Sequence, residues 1–137
     1  MKRPRQLVVT RGMSYISRSM DNLAPETLDQ WLQAARDHDD REAYQQLVEQ
    51  CHHLVRGVTL RETADPELAD EIAQEVFVRG WLRRGQYRPG TNPRAWLLTI
   101  ARNLLTEFRR RQARENRHLR ELVRRELLRR VEQTDLN

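Results

Sequence analysis

ADEIAQEVFVRGWLRRGQYRPGTNPRAWLLTIARNLLTEFRRR, residues 69–111, decides the architecture of this chain. It holds two helical periods joined by a short loop. Before the loop, Leu68, Ala69, Ile72, Ala73, Val76, Phe77 and Trp81 recur at three-four spacing, which puts them on one helical face. Asp65 followed by Pro66 predicts the start of that helix, as an N-cap and a proline at the first helical position. Gly85 is its expected stop, just after Arg84. Beyond the loop, Asn92-Pro93 repeats the cap-plus-proline signature. The next helix turns Leu97, Ile100, Ala101, Leu104, Leu105 and Phe108 inward and Thr99, Arg102, Asn103, Thr106, Arg109 and Arg110 outward.

The flanks read the same way. Pro25 and Glu26 open a helix through about His38, with Leu28, Trp31, Leu32 and Ala35 on one face. His38-Asp39-Asp40 breaks it, and either Asp can cap a second helix from Arg41 to about Leu60. That helix presents Tyr44, Leu47, Val48, Cys51, Leu54, Val55 and Val58 inward. From Arg111 to Val131 helix can continue, with a weaker stripe of Leu119, Leu122, Val123, Leu127 and Val131. No strand alternation and no internal repeat is found. The fold class is therefore all-α: a compact helical bundle of about four helices plus a C-terminal helical extension. The expected organisation is a flexible basic segment over 1–23, a domain over 24–111, and an Arg-rich helical tail or linker over 112–137.

Charge is segregated along the chain. Residues 37–75 carry eleven acidic and three basic side chains, a net of −8. Residues 76–100 carry five Arg and no acid, and 101–130 carry eleven Arg against four Glu. The basic half suits a polyanion, and the acidic half suits a basic protein. No apolar run spans a membrane, and Leu7-Val8-Val9 is too short for a signal peptide, so a cytoplasmic protein with no membrane partner is expected. The single cysteine excludes an internal disulfide.

The loop GQYRPGTNPRAW, residues 85–96, combines aromatic, guanidinium and amide groups. Tyr87, Arg88, Asn92 and Arg94 can donate to phosphates and base edges or stack on an unpaired base, beside the Arg102, Asn103 and Thr106 face. The same composition suits a plain turn with Tyr87 and Trp96 packed on the core, and for Trp96 the core reading is preferred. Glu67, Asp70, Glu71, Gln74 and Glu75 make an acidic ridge on the preceding helix. Its like charges at i,i+4 are relieved either by a basic partner or by nearby Arg. Cys51-His52-His53 is adjacent on a helix and cannot close round one metal; Cys51 is expected in the core and both His at the surface. No catalytic motif, phosphate cradle or cofactor site is found, so neither an enzyme nor a cofactor is expected.

With these residues in view, 69–111 closely resembles region 2 of bacterial extracytoplasmic-function (ECF) sigma factors of the sigma-70 family. D-E-I-A-Q-E-V-F, R-P-G-T-N, R-A-W-L and I-A-R-N-L stand in one helical frame, and residues 40–70 resemble the helix and turn before it. The resemblance covers roughly 25–111. It implies that Asp70, Gln74 and Glu75 bind the β′ clamp helices of core RNA polymerase. It implies that the loop 85–93 takes a flipped base of the promoter −10 element, on the non-template strand. Arg102, Asn103 and Thr106 inherit DNA contact, with Tyr87, Arg88, Asn92, Arg94, Arg109 and Arg110 completing the DNA-binding set. The 26 residues after Arg111 cannot house the family's second, −35-reading domain. Either the chain is a truncated one, or a separate subunit supplies −35 recognition. The rival expectation is a sigma mimic that binds an anti-sigma factor without reading a promoter.

Overall fold

The computed structural model describes residues 24–136, with side chains through Asp135. It is all-α, with no strand among the described residues: α1 is Pro25–His38, α2 Arg41–Thr63, α3 Pro66–Leu82 and α4 Pro93–Leu136. A single 3-10 turn, Arg84–Gln86, follows α3. The chain divides into two compact units, the first ending at Leu104 and the second beginning at Leu105. The expectation for residues 1–23 lies outside the described residues.

Local chemistry sets the helix ends. Asp40 is the N-cap of α2, its carboxylate accepting from the Ala43 N–H at 3.0 Å. Asp65 accepts from the Glu67 and Leu68 N–H groups at 3.1 and 3.3 Å, and Asn92 accepts from those of Arg94 and Ala95 at 3.0 and 3.3 Å. Each cap satisfies donors that the first helical turn leaves unpaired. Asp39 and Ala64 close α1 and α2 in the left-handed conformation, at φ 52° and 55°. The second helix thus runs three residues past the predicted Leu60, because Ala64 takes a conformation that its composition does not advertise.

The third helix stops at Leu82, short of the predicted Arg84. Arg84 ends it by folding back. Its guanidinium lies 3.8 Å from the Trp81 ring centroid, donates to the Trp81 carbonyl at 2.7 Å and pairs with Asp39 at 2.5 Å. A further bond from Arg84 Nε to the Ala35 carbonyl, 3.1 Å, ties this corner to α1.

The core of the first unit is Leu28, Leu32 and Ala35 from α1, Leu47, Cys51 and Val55 from α2, Ala69, Ala73 and Val76 from α3, and Leu97 and Ala101 from α4. Thr59 is buried among them with its hydroxyl on the Ala69 carbonyl at 3.0 Å. Gly80 makes the close packing possible. A Cβ there would sit 2.5 Å from the Tyr44 hydroxyl and 3.3 Å from Leu97, so Gly80 leaves room for the Tyr44 hydroxyl to donate to the Phe77 carbonyl. One inward and one surface expectation change. Leu54 is 38% exposed, and His52, expected at the surface, is half-buried with its ring stacked at 6.3 Å from Phe77.

In the second unit the chain continues as helix through Leu136. Two of its acids sit one turn from arginines: Glu121 pairs with Arg124 and Arg125 at 3.5 Å each, and Glu126 with Arg129 at 2.6 Å and Arg130 at 3.1 Å. Such exposed i,i+3 and i,i+4 pairs contribute roughly 0.2–0.5 kcal/mol each and favour helix over coil.

Candidate functional site

The loop between α3 and α4 is held from beneath by α1. Asp29, on the second turn of α1, accepts from the Tyr87 hydroxyl and from the Gly90 N–H, the latter at 3.0 Å. Its other oxygen accepts from Gln33 Nε2 at 2.7 Å. Burial alone would disfavour the carboxylate charge, but the bonds from Tyr87, Gly90 and Gln33 outweigh it and hold Asp29 below the ordinary carboxyl range. The Tyr87 hydroxyl is pushed up to about 12, first by burial and then by its bond to Asp29, and so stays a proton donor. Gly90 takes φ 84°, which a side chain would strain, and this turns its N–H toward Asp29.

Tyr87 is accordingly a correction. Expected as a DNA contact, it is 1% exposed, and its ring meets Trp96 edge-on at 5.6 Å. A ring so buried offers no exposed face to a base; Tyr87 supports the loop instead. The Arg88 carbonyl accepts from the Thr91 hydroxyl at 2.7 Å and from the Thr91 N–H at 3.3 Å, closing a turn that leaves the Arg88 side chain exposed. Asn92 is exposed too, though its carbonyl oxygen is engaged as the α4 cap. Arg94 is half-buried on the first turn of α4, where it lines a cavity of about 400 Å³ with Gln50, His53 and Leu54. The buried Cys51 thiol is pushed up to about 11 by its burial, which the nearby Arg94 cation partly opposes.

Further along α4, Arg102 and Asn103 are exposed in the first unit. Thr106, Arg109 and Arg110 are exposed in the second. The structure thus gathers Arg88, Asn92 and Arg94 round the start of α4.

The acidic ridge lies on α3. Asp70, Gln74 and Glu75 are all exposed. Asp70 accepts from Arg56 of α2 at 2.5 Å, and Glu75 sits 3.7 Å from Arg79, so arginines of the same unit offset part of the ridge. Glu67 and Glu71 form no ion pair among the described residues. Val78 and Leu82, 52% and 72% exposed, continue the ridge as an apolar foot. Sequence reasoning missed both, and it missed Asp29. The signal for Val78 and Leu82 was their place off the inner stripe; Asp29 had none, since one Asp on a polar helix face looks like any other.

Among the described residues no three His, Cys, Asp or Glu side chains cluster to hold a metal ion. No described helix is long and apolar enough to cross a membrane.

Comparison with known proteins gives a consistent result. The family model for sigma-70 region 2 matches residues 47–115. A probable RNA polymerase sigma factor RfaY from Xanthomonas campestris is 34% identical over 68 residues, covering 50% of this chain and 17% of that protein. An ECF RNA polymerase sigma factor SigK from a Mycobacterium species is 33% identical over 63 residues, 45% of this chain and 33% of the relative. An ECF RNA polymerase sigma factor RpoE from Cereibacter sphaeroides is 30% identical over 73 residues, 53% of this chain and 40% of the relative. The chain therefore spans less than half the length of these curated relatives. No solved structure matches it.

Proposed function

The chain belongs to the sigma-70 region 2 family, and from that premise we propose that it binds core RNA polymerase and recognises and melts the promoter −10 element. The observation that carries this reading is the loop braced by Asp29, with Arg88 and Asn92 exposed on a frame fixed from below. A braced loop can receive a base drawn from the duplex. The Arg88 guanidinium offers a planar stacking surface, and Asn92 and Arg94 offer donors to base edge and phosphate. Unstacking costs a few kcal/mol, and stacking in the pocket returns roughly 1–3 kcal/mol, so contacts to the flanking strand complete the balance. Arg102 and Asn103 would supply them from the first unit; in the second unit Thr106, Arg109 and Arg110 would meet the DNA backbone. Melting then draws on binding energy alone, with no catalytic residue and no cofactor.

Asp70, Gln74 and Glu75 are assigned to the β′ clamp helices of the polymerase, with Val78 and Leu82 adding apolar contact at the end of the same face. The separation of the two surfaces supplies the test. Arg102→Ala with Asn103→Ala should weaken binding to forked −10 DNA at least tenfold and leave affinity for core polymerase unchanged. Gln74→Ala with Glu75→Ala should do the reverse. Loss of both affinities together in either variant would overturn the division. Absence of polymerase binding by the intact chain would favour a sigma mimic that engages an anti-sigma factor.

A further inference from the structure

The second unit carries a surface that the proposed DNA and polymerase contacts leave unused. Leu119, Leu122, Val123, Leu127, Leu128 and Val131 are each between 45% and 58% exposed. Scattered aliphatics are ordinary on a surface, but six within thirteen residues of one helix are not. The second unit contains no other described element to cover them. Leu119, Val123, Leu127 and Val131 fall at i,i+4 steps, the row that forms a ridge for a helix crossing at about −50°.

The charges beside this ridge say what it fits. Leu119, Val123, Leu127 and Leu128 line a shallow groove together with Arg120 and Arg124. Glu121 and Glu126 are each held by two arginines of their own helix. Arg120, which lines the groove, makes no ion pair among the described residues. A second copy would set arginine against arginine at the groove, where Glu121 and Glu126 are already engaged. DNA would satisfy the arginines and leave the aliphatics in water. We infer that residues 119–131 are a docking ridge for an acidic amphipathic helix of another protein. Its apolar face would cover the ridge, and its carboxylates would meet Arg120 and Arg124 at the groove.

The test uses the full chain and a displayed library of twenty-residue amphipathic helices. Their apolar row is fixed and their flanking positions vary between Glu and Lys. Selection should enrich Glu over Lys at least tenfold, and the selected peptide should bind a monomeric chain. Val123→Gln with Leu127→Gln, which leaves the helix intact by circular dichroism, should lower its affinity at least tenfold, and so should Arg120→Gln with Arg124→Gln. Enrichment of Lys, no charge bias, or no selected peptide overturns the inference. Binding that survives the Gln pair at 123 and 127 reduces the contact to charge alone and overturns it as well. A dimer in sedimentation that those substitutions dissolve would identify a second copy as the occupant and overturn it too.

Discussion

His52 occupies an unusual place for an imidazole: half-buried, stacked on Phe77, with a buried Nδ1 that has no hydrogen-bond partner among the described residues. Burial and then the neighbouring His53 lower its pKa from the ordinary 6.5, and Arg56 acts in the same direction, while Asp70 opposes them. The folded state therefore prefers neutral His52. Where the unfolded chain binds a proton that the folded one refuses, stability rises with pH. The chain should accordingly keep this contribution above pH 6.5 and lose it progressively as pH falls below that value. Denaturant melts between pH 7.5 and 5 measure this, and His52→Gln should flatten the slope. An unchanged slope in the variant would clear His52 of the effect. The neighbouring Cys-His-His run was legible in part. Helical geometry correctly put Cys51 in the core, but it put His52 outside, since the residue after an inward position sits at the edge of the buried stripe. Whether an edge residue is covered depends on the size of the neighbour across from it, here Phe77, which periodicity in one helix does not carry.

At the scale of elements, α1 serves the loop. Tyr87 and Gly90 share one acceptor, Asp29, and the turn closed by Arg88 and Thr91 hangs between them. Removing an acceptor from two donors leaves both to find water, at a cost of about 1–3 kcal/mol per buried group. Asp29→Ala should lower unfolding stability by about 1–3 kcal/mol and reduce affinity for forked −10 DNA, with core polymerase affinity unchanged. Calorimetry and DNA titration together check this, and full DNA affinity in a destabilised variant would detach the loop's shape from its role. The helices themselves were readable because caps and prolines announce their starts: Asp65-Pro66 and Asn92-Pro93 act as predicted, and of the two aspartates open as caps Asp40 takes the role. Their ends were less so. The second helix ends on a left-handed alanine and the third on an arginine folded over Trp81, and both are choices of tertiary packing.

For the whole molecule, the segregation of charge along the sequence becomes a separation by helix. Acids dominate the exposed side of α3, and Arg and Asn the exposed side of α4. Linear order sufficed to predict that these acids and these Arg and Asn residues lie exposed, because each set falls on one helix face. It did not suffice for what holds the loop, since that support comes from a helix far earlier in the chain. The bonds from Asp29 to Tyr87 and Gly90 span 58 and 61 residues, and contacts so distant form only after the intervening chain has been gathered. The loop should then be among the last parts to take shape during folding and among the first to loosen when α1 undocks. The amide proton of Gly90 becomes a reporter of that event. In hydrogen exchange its protection should fall in step with the amides of α1, at a lower opening free energy than those of α2 and α3. A chain with α1 adrift would keep its arginines and lose the loop shape on which the proposed capture of a nucleotide depends.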